Sequence, residues 1–145
     1  MFKHILLPTD GSPASERAIA QAVALAKDAQ AKITGLHVMQ DYRLLTYQLQ
    51  TLEDARDQFI KECQVQADTY LSALKDAADK AGVPCETISV TGDQPYEAIL
   101  RMADGKGCDL IVMASHGRKG IAGFLLGSET QKVLSHSKKP VLVLH

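Results

Sequence analysis

The sequence predicts an α/β domain, a five-stranded and mostly parallel sheet with helices on both faces. Two observations carry that expectation. Short β-rich runs alternate strictly with longer segments of helical period along all 145 residues, and such alternation builds right-handed βαβ crossovers. One run, Leu110-Ile111-Val112-Met113-Ala114, is apolar on both faces, the pattern of a strand buried inside a parallel sheet. Apolar residues make up 46% and charged residues 23%, enough core for one domain over residues 1–145. No linker, repeat or low-complexity tract divides the chain.

The elements follow in order. Residues 2–8 form the first strand. Ser12 then stands as an N-cap with Pro13 at the first helical position, where a missing N–H costs nothing. The helix it starts shows an apolar face of Ile19, Ala22, Val23, Ala26 and Ala29. Residues 32–39 are the second strand. A long helical pattern over Glu53–Ala81 places Phe59, Ile60, Cys63, Ala67, Tyr70, Leu71, Leu74 and Ala78 at steps of three and four, and Gly82 supplies a left-handed stop. Residues 84–91 alternate behind a leading Pro84, as an edge strand does. Pro95 opens a third helix to about Asp104. The central strand 110–114 leads into a glycine-rich loop and a helix over residues 129–136. Val141, Leu142, Val143 and Leu144 close the chain as a last strand.

Composition narrows the function. Sixteen Lys and Arg against seventeen Asp and Glu leave a formal charge of −1, which offers no footprint for nucleic acid or an anionic membrane. No apolar run approaches the length of a membrane span, and the first ten residues lack a signal-peptide pattern. Three cysteines, Cys63, Cys85 and Cys108, are odd in number and unpatterned. They fit reduced thiols, so a cytoplasmic location is expected. The histidines show no metal-ligand spacing, and no metal site is assigned.

In a sheet of this kind ligands bind beyond the carboxyl ends of the strands. The turn Pro8-Thr9-Asp10-Gly11-Ser12, the turn Val38-Met39-Gln40-Asp41 and the segment from Met113 onward should meet there. That last segment, Ala114-Ser115-His116-Gly117 through Gly127-Ser128, leaves a buried strand and enters a helix at an S-x-x-Q pattern. Ser128 and Gln131 read as a capping box, with the helix start a seat for phosphate. Glycines at 117 and 127 would let backbone approach a ligand. A flexible loop and an ordinary capped helix would give the same pattern. Neither a Walker A loop nor a dinucleotide fingerprint is present.

Taken together, Leu7-Pro8-Thr9-Asp10-Gly11-Ser12, Leu36-His37-Val38, Gly92-Asp93-Gln94-Pro95, the strand 110–114 and Pro140-Val141-Leu142-Val143 resemble the universal stress protein family over essentially the whole chain. Its nucleotide-binding members carry G-x-x-G, nine residues, then G-[ST]. Here the spacing matches, with nine residues from Arg118 to Leu126, but Ala114 stands where the first glycine belongs. The methyl matters only if that residue needs a positive φ or touches the ligand.

The resemblance implies a Rossmann-like sheet in the order 3-2-1-4-5 and an adenine nucleotide, ATP or AMP, as ligand, with Mg²⁺ accompanying ATP. Asp10 would hold the ribose or adenine side, with Pro8 and Thr9 shaping that wall. Val38 would meet adenine through its backbone, and Met113 and Ala114 would line the sugar. Gly117, Gly127, Ser128 and the N–H of Glu129 would take phosphates, and His116 could face one. For Asp10 the other reading is an Asx turn sharing the first helix's cap; for Val38 and Met113 it is core packing. Residues Tyr42, Leu45, Leu49 and Leu52 suggest a short amphipathic helix over the long one. The apolar edge 141–144 would pair with a second copy in a homodimer. The expected role is a nucleotide-responsive binding module in stress or signalling, not an enzyme. The alternatives are a slow ATPase or autokinase and a nucleotide-free scaffold.

Overall fold

The computed structural model describes residues 1–41, 53–116 and 126–145. Strands β1 (His4–Pro8), β2 (Lys32–Met39), β3 (Cys85–Thr91), β4 (Leu110–Ala114) and β5 (Val141–Leu144) alternate with helices α1 (Pro13–Ala29), α2 (Glu53–Ala81), α3 (Pro95–Gly105) and α4 (Ser128–His136). All four strand pairings are parallel and the order is β3-β2-β1-β4-β5. The expected fold is therefore the observed one. The short helix suggested by Tyr42, Leu45, Leu49 and Leu52 lies outside the described residues.

The period of two along the strands divides the core. Ile5 and Leu7 on β1 point to a layer closed by α1 and α2 through Ile19, Val23, Leu74 and Ala78. Leu6 points the other way, to Ile99 and Ala103 of α3 and Val133 of α4. Strand β4 is buried along its whole length, as its two-sided apolar sequence requires. Small residues let α2 sit close: a Cβ on Gly35 would fall 2.3 Å from Leu74 Cδ2.

Ser12 caps α1 as its sequence suggests, with extended dihedrals and its hydroxyl accepting the Ser15 N–H at 3.1 Å. Gly82 closes α2 at φ +73°. Helix α4 departs from expectation. Its N-cap is Gly127, at φ −67° and ψ 158°, whose carbonyl accepts the Gln131 N–H at 3.0 Å. Ser128 already lies inside the helix, so its hydroxyl is not in the capping position. The Gln131 amide instead donates to the Leu126 carbonyl at 3.0 Å.

A polar cluster ties the amino ends of the strands together. His4, buried at 6% exposure, meets the Thr34 hydroxyl at 2.7 Å, and that hydroxyl donates to Glu86 at 3.1 Å. The Asp109 carboxylate accepts the N–H groups of Lys3 and His4 at 2.8 and 3.0 Å. Burial and the nearby Lys32 push the His4 imidazole below its ordinary range, against the opposing pull of Glu86 and Asp109. These groups lie at the end of the sheet opposite the expected site.

Candidate nucleotide site

The site is built where β1 and β4, neighbours in the sheet, release their chains on the carboxyl side. The β1 side is a tight turn. Asp10 Oδ1 accepts the Ser12 N–H at 3.0 Å and the Ser15 hydroxyl at 2.7 Å, so Asp10 closes an Asx turn. The N-cap residue Ser12, through its N–H, and Ser15 of the first helical turn, through its hydroxyl, thus fix the carboxylate at the strand end. Gly11 carries φ +76°, a conformation glycine adopts without cost, and a Cβ there would meet the Tyr70 ring at 2.2 Å.

The β4 side is organised by backbone. Ala114 is the last strand residue, in register with Leu144, and its carbonyl accepts the Thr130 hydroxyl at 2.9 Å. Its backbone is extended, and Gln30 is the only non-glycine residue with positive φ among the described residues. The methyl group at this departure from the family pattern therefore carries no backbone strain. Ser115 N–H donates to Leu144 at 2.8 Å, and Gly127 N–H donates to the Ser115 carbonyl at 2.6 Å. That last bond draws the start of α4 back onto the end of β4. It also occupies the Gly127 N–H expected to face phosphate, leaving the N–H groups that follow in the first turn of α4 for an anion.

Glu129 adds a contact that the sequence did not suggest. Its carboxylate accepts the Tyr96 N–H at 2.8 Å and pairs with Lys132 at 3.4 Å. Helix α3 has no side-chain cap of its own at Gln94, so Glu129 supplies one from the neighbouring helix. The side chain thus points to α3, and only its backbone stays with the first turn of α4. Val38 and Met113 pack against the α3 and α4 layer. Pro8 ends β1 opposite Leu36. Thr9 is 4% exposed. His116 follows Ser115, its Nδ1 buried and without a hydrogen-bond partner among the described residues. Gly117 lies outside the described residues, as do Arg118 and Lys119.

Sequence reasoning passed over Ser15, His37, Tyr70 and Thr130. Ser15 had a local signal, a second serine three residues after the N-cap. The other three act across 16 residues or more, which no short motif encodes. Among the described residues no three His, Cys, Asp or Glu side chains gather as a metal site, and no helix is long and apolar enough to cross a membrane. A shallow cleft of about 250 Å³ between α2 and β3, lined by Asp68, Ser72, Lys75 and Thr87 among others, lies away from this crest.

The whole chain, residues 1–145, matches the model of the universal stress protein family. The chain belongs to the universal stress protein family. It is 37% identical to the universal stress protein YxiE of Bacillus subtilis, with 99% of each chain covered. Among solved structures, protein MJ0577 of Methanocaldococcus jannaschii superposes with a TM-score of 0.84 at 30% identity, over 99% of this chain and 96% of that one. A universal stress protein in complex with cAMP superposes at 0.72 and 28% identity, covering 99% and 97% of the two chains. The universal stress protein of Archaeoglobus fulgidus in complex with dAMP matches at 0.71 over 100% and 98%, with 20% identity, a likeness of fold. Structural relatives of this universal stress protein thus bind adenine nucleotides.

Proposed function

We propose that this universal stress protein is a cytoplasmic, homodimeric binding module that responds to an adenine nucleotide, ATP or AMP, in stress or signalling. The observation that carries the reading is the placement of two chemically opposite seats on adjacent strands. The Asp10 carboxylate at the end of β1 suits the hydroxyl donors of a ribose. The first turn of α4, drawn onto β4 by the Gly127 to Ser115 bond, suits phosphate. A carboxylate repels phosphate, so one nucleotide must lie across the crest with its sugar at Asp10 and its phosphates at Ser128 and Glu129.

Pro8, Thr9 and the Val38 backbone bound the adenine side, Met113 and Ala114 floor the sugar, and His116 and Gly117 complete the phosphate side, where Gly127, its N–H already given to Ser115, contributes only the room its missing side chain leaves. Mg²⁺ accompanies ATP. The role is binding rather than catalysis: phosphoryl transfer needs a positioned base and a metal clamp, and neither Asp10, at the sugar end, nor Ser128 supplies both. The β5 edge, where Leu142 is 37% exposed, is the surface for pairing with a second copy.

Gly127→Val tests the phosphate seat. The extended dihedrals of Gly127 accept any L-residue, so the variant should fold and remain a dimer by light scattering. Calorimetric titration of nucleotide-stripped protein should show saturable ATP binding in the parent and none in the variant. Survival of ATP binding in the variant would remove the phosphate assignment. Absence of binding in the parent, with no thermal shift where ligand at ~100 times its Kd should add about 2.7 kcal/mol, would leave a scaffold.

A further inference from the structure

Thr9 is held by β2 at both of its backbone groups. Its N–H donates to the Leu36 carbonyl at 2.8 Å, and its carbonyl lies 2.8 Å from His37 Nδ1. A carbonyl only accepts, so Nδ1 carries the proton. The His37 ring meets Tyr70 edge to face, with centroids 5.3 Å apart at 70°. Tyr70 in turn lies on Gly11, close enough that a Cβ there would fall 2.4 Å from its Cζ. Both ends of the Thr9-Asp10-Gly11 turn are therefore set by side chains from β2 and α2, far away in sequence. Within this frame the Thr9 hydroxyl oxygen is buried without a hydrogen-bond partner among the described residues. A buried polar atom left in that state ordinarily has a structural or ligand explanation.

We propose that His37 and Tyr70 are positioning residues for the nucleoside end of the site. They fix the turn so that the Thr9 hydroxyl and the Asp10 carboxylate meet the base and sugar of the ligand. The proposal rests on the nucleotide reading above and deepens it. His37 acts through the Thr9 carbonyl, and Tyr70 acts through the face of Gly11 that its ring covers. Both steer the nucleoside, so their effect should be independent of the number of phosphates.

Titration with adenosine, AMP and ATP separates this from a phosphate effect. His37→Phe keeps a ring against Tyr70 and loses the donor. It should weaken all three ligands by a common factor of roughly three to ten, the loss of one net hydrogen bond. His37→Asn places an amide N–H near the Nδ1 position and should return all three to within about twofold of the parent. Tyr70→Ala should weaken all three in the same sense. An unchanged adenosine Kd in His37→Phe and Tyr70→Ala would overturn the proposal. So would a loss confined to ATP, or a His37→Asn variant as weak as His37→Phe, which would make the histidine a packing residue only. If the parent binds none of the three, the nucleotide reading itself fails and takes this one with it. That outcome differs from a parent that binds and variants that bind equally well.

Discussion

At the amino end of β1, His4 and the Asp109 carboxylate make hydrogen bonds to Thr34 and to the N–H groups of Lys3 and His4. At the carboxyl end of the same strand, Asp10 is equally well held by Ser12 and Ser15, yet the Thr9 hydroxyl beside it is buried and unpaired among the described residues. A polar group satisfied within the fold stabilises the fold, whereas one left over is a cost that a ligand can remove. Under the nucleotide reading proposed above, the difference separates an end of the sheet that serves stability from an end that a ligand would complete.

The sharpest way to break the recognition end is Gly11→Ala. The added methyl meets a positive φ, worth about 1–2 kcal/mol for an L-residue, and the Tyr70 ring at 2.2 Å. Off-rotamer shifts forced by overpacking add about 1–3 kcal/mol. A loss of about 2–5 kcal/mol in urea denaturation is expected, together with loss of nucleotide binding. In a Tyr70→Ala background the same substitution should cost only the backbone part, about 1–2 kcal/mol relative to Tyr70→Ala alone. No cost in that background would show that the left-handed conformation contributes nothing.

Gly11 also marks how far the sequence could be read. The turn was legible because Asp-Gly-Ser-Pro is local chemistry: an Asx acceptor, a residue free to take positive φ, a cap and a first-turn proline in four consecutive positions. The strand order was legible through the family resemblance, and the long helix through the spacing of Ala67, Leu71, Leu74 and Ala78. Tyr70 sits in that same spacing and reads as core. Only the fold, bringing α2 over the β1 turn, shows that its ring covers Gly11. Glu129 fails for the same reason, since its partner Tyr96 is 33 residues away. At α4 the failure is local. The serine that looks like a cap is one residue too late, because the Gly127 carbonyl already accepts the first helical bond.

That misreading yields the next test, a contrast between two helix starts. Ser12→Ala removes a hydroxyl that accepts the Ser15 N–H and should cost about 1 kcal/mol. Ser128→Ala removes an exposed hydroxyl outside the cap position and should change stability by no more than about 0.5 kcal/mol. Its effect should appear in ATP affinity instead. Equal losses of stability would restore Ser128 to a capping role and weaken its place in the site.

The smallest effect is a slope with pH, and it belongs to the amino end. Burial first, then the charge of Lys32, holds His4 below its ordinary value of 6.5, with Glu86, Asp109 and the Lys106 backbone opposing. In the window between the two pKa values the unfolded chain binds the proton and the folded chain does not, so stability rises with pH there. The His4 contribution is complete above about pH 6.5, falls as pH drops below it, and levels off once the folded imidazole is also protonated. Asp109 works in a lower window. Burial raises its carboxyl, but the N–H groups of Lys3 and His4 outweigh that and hold it below its ordinary 3.8. Its contribution is present above that value and lost on further acidification. His4→Gln, followed by thermal melts across pH 7 to about 3, should flatten the upper limb and leave the lower one. An unchanged upper limb would assign it to another histidine and leave His4 a packing residue at the quiet end of the sheet.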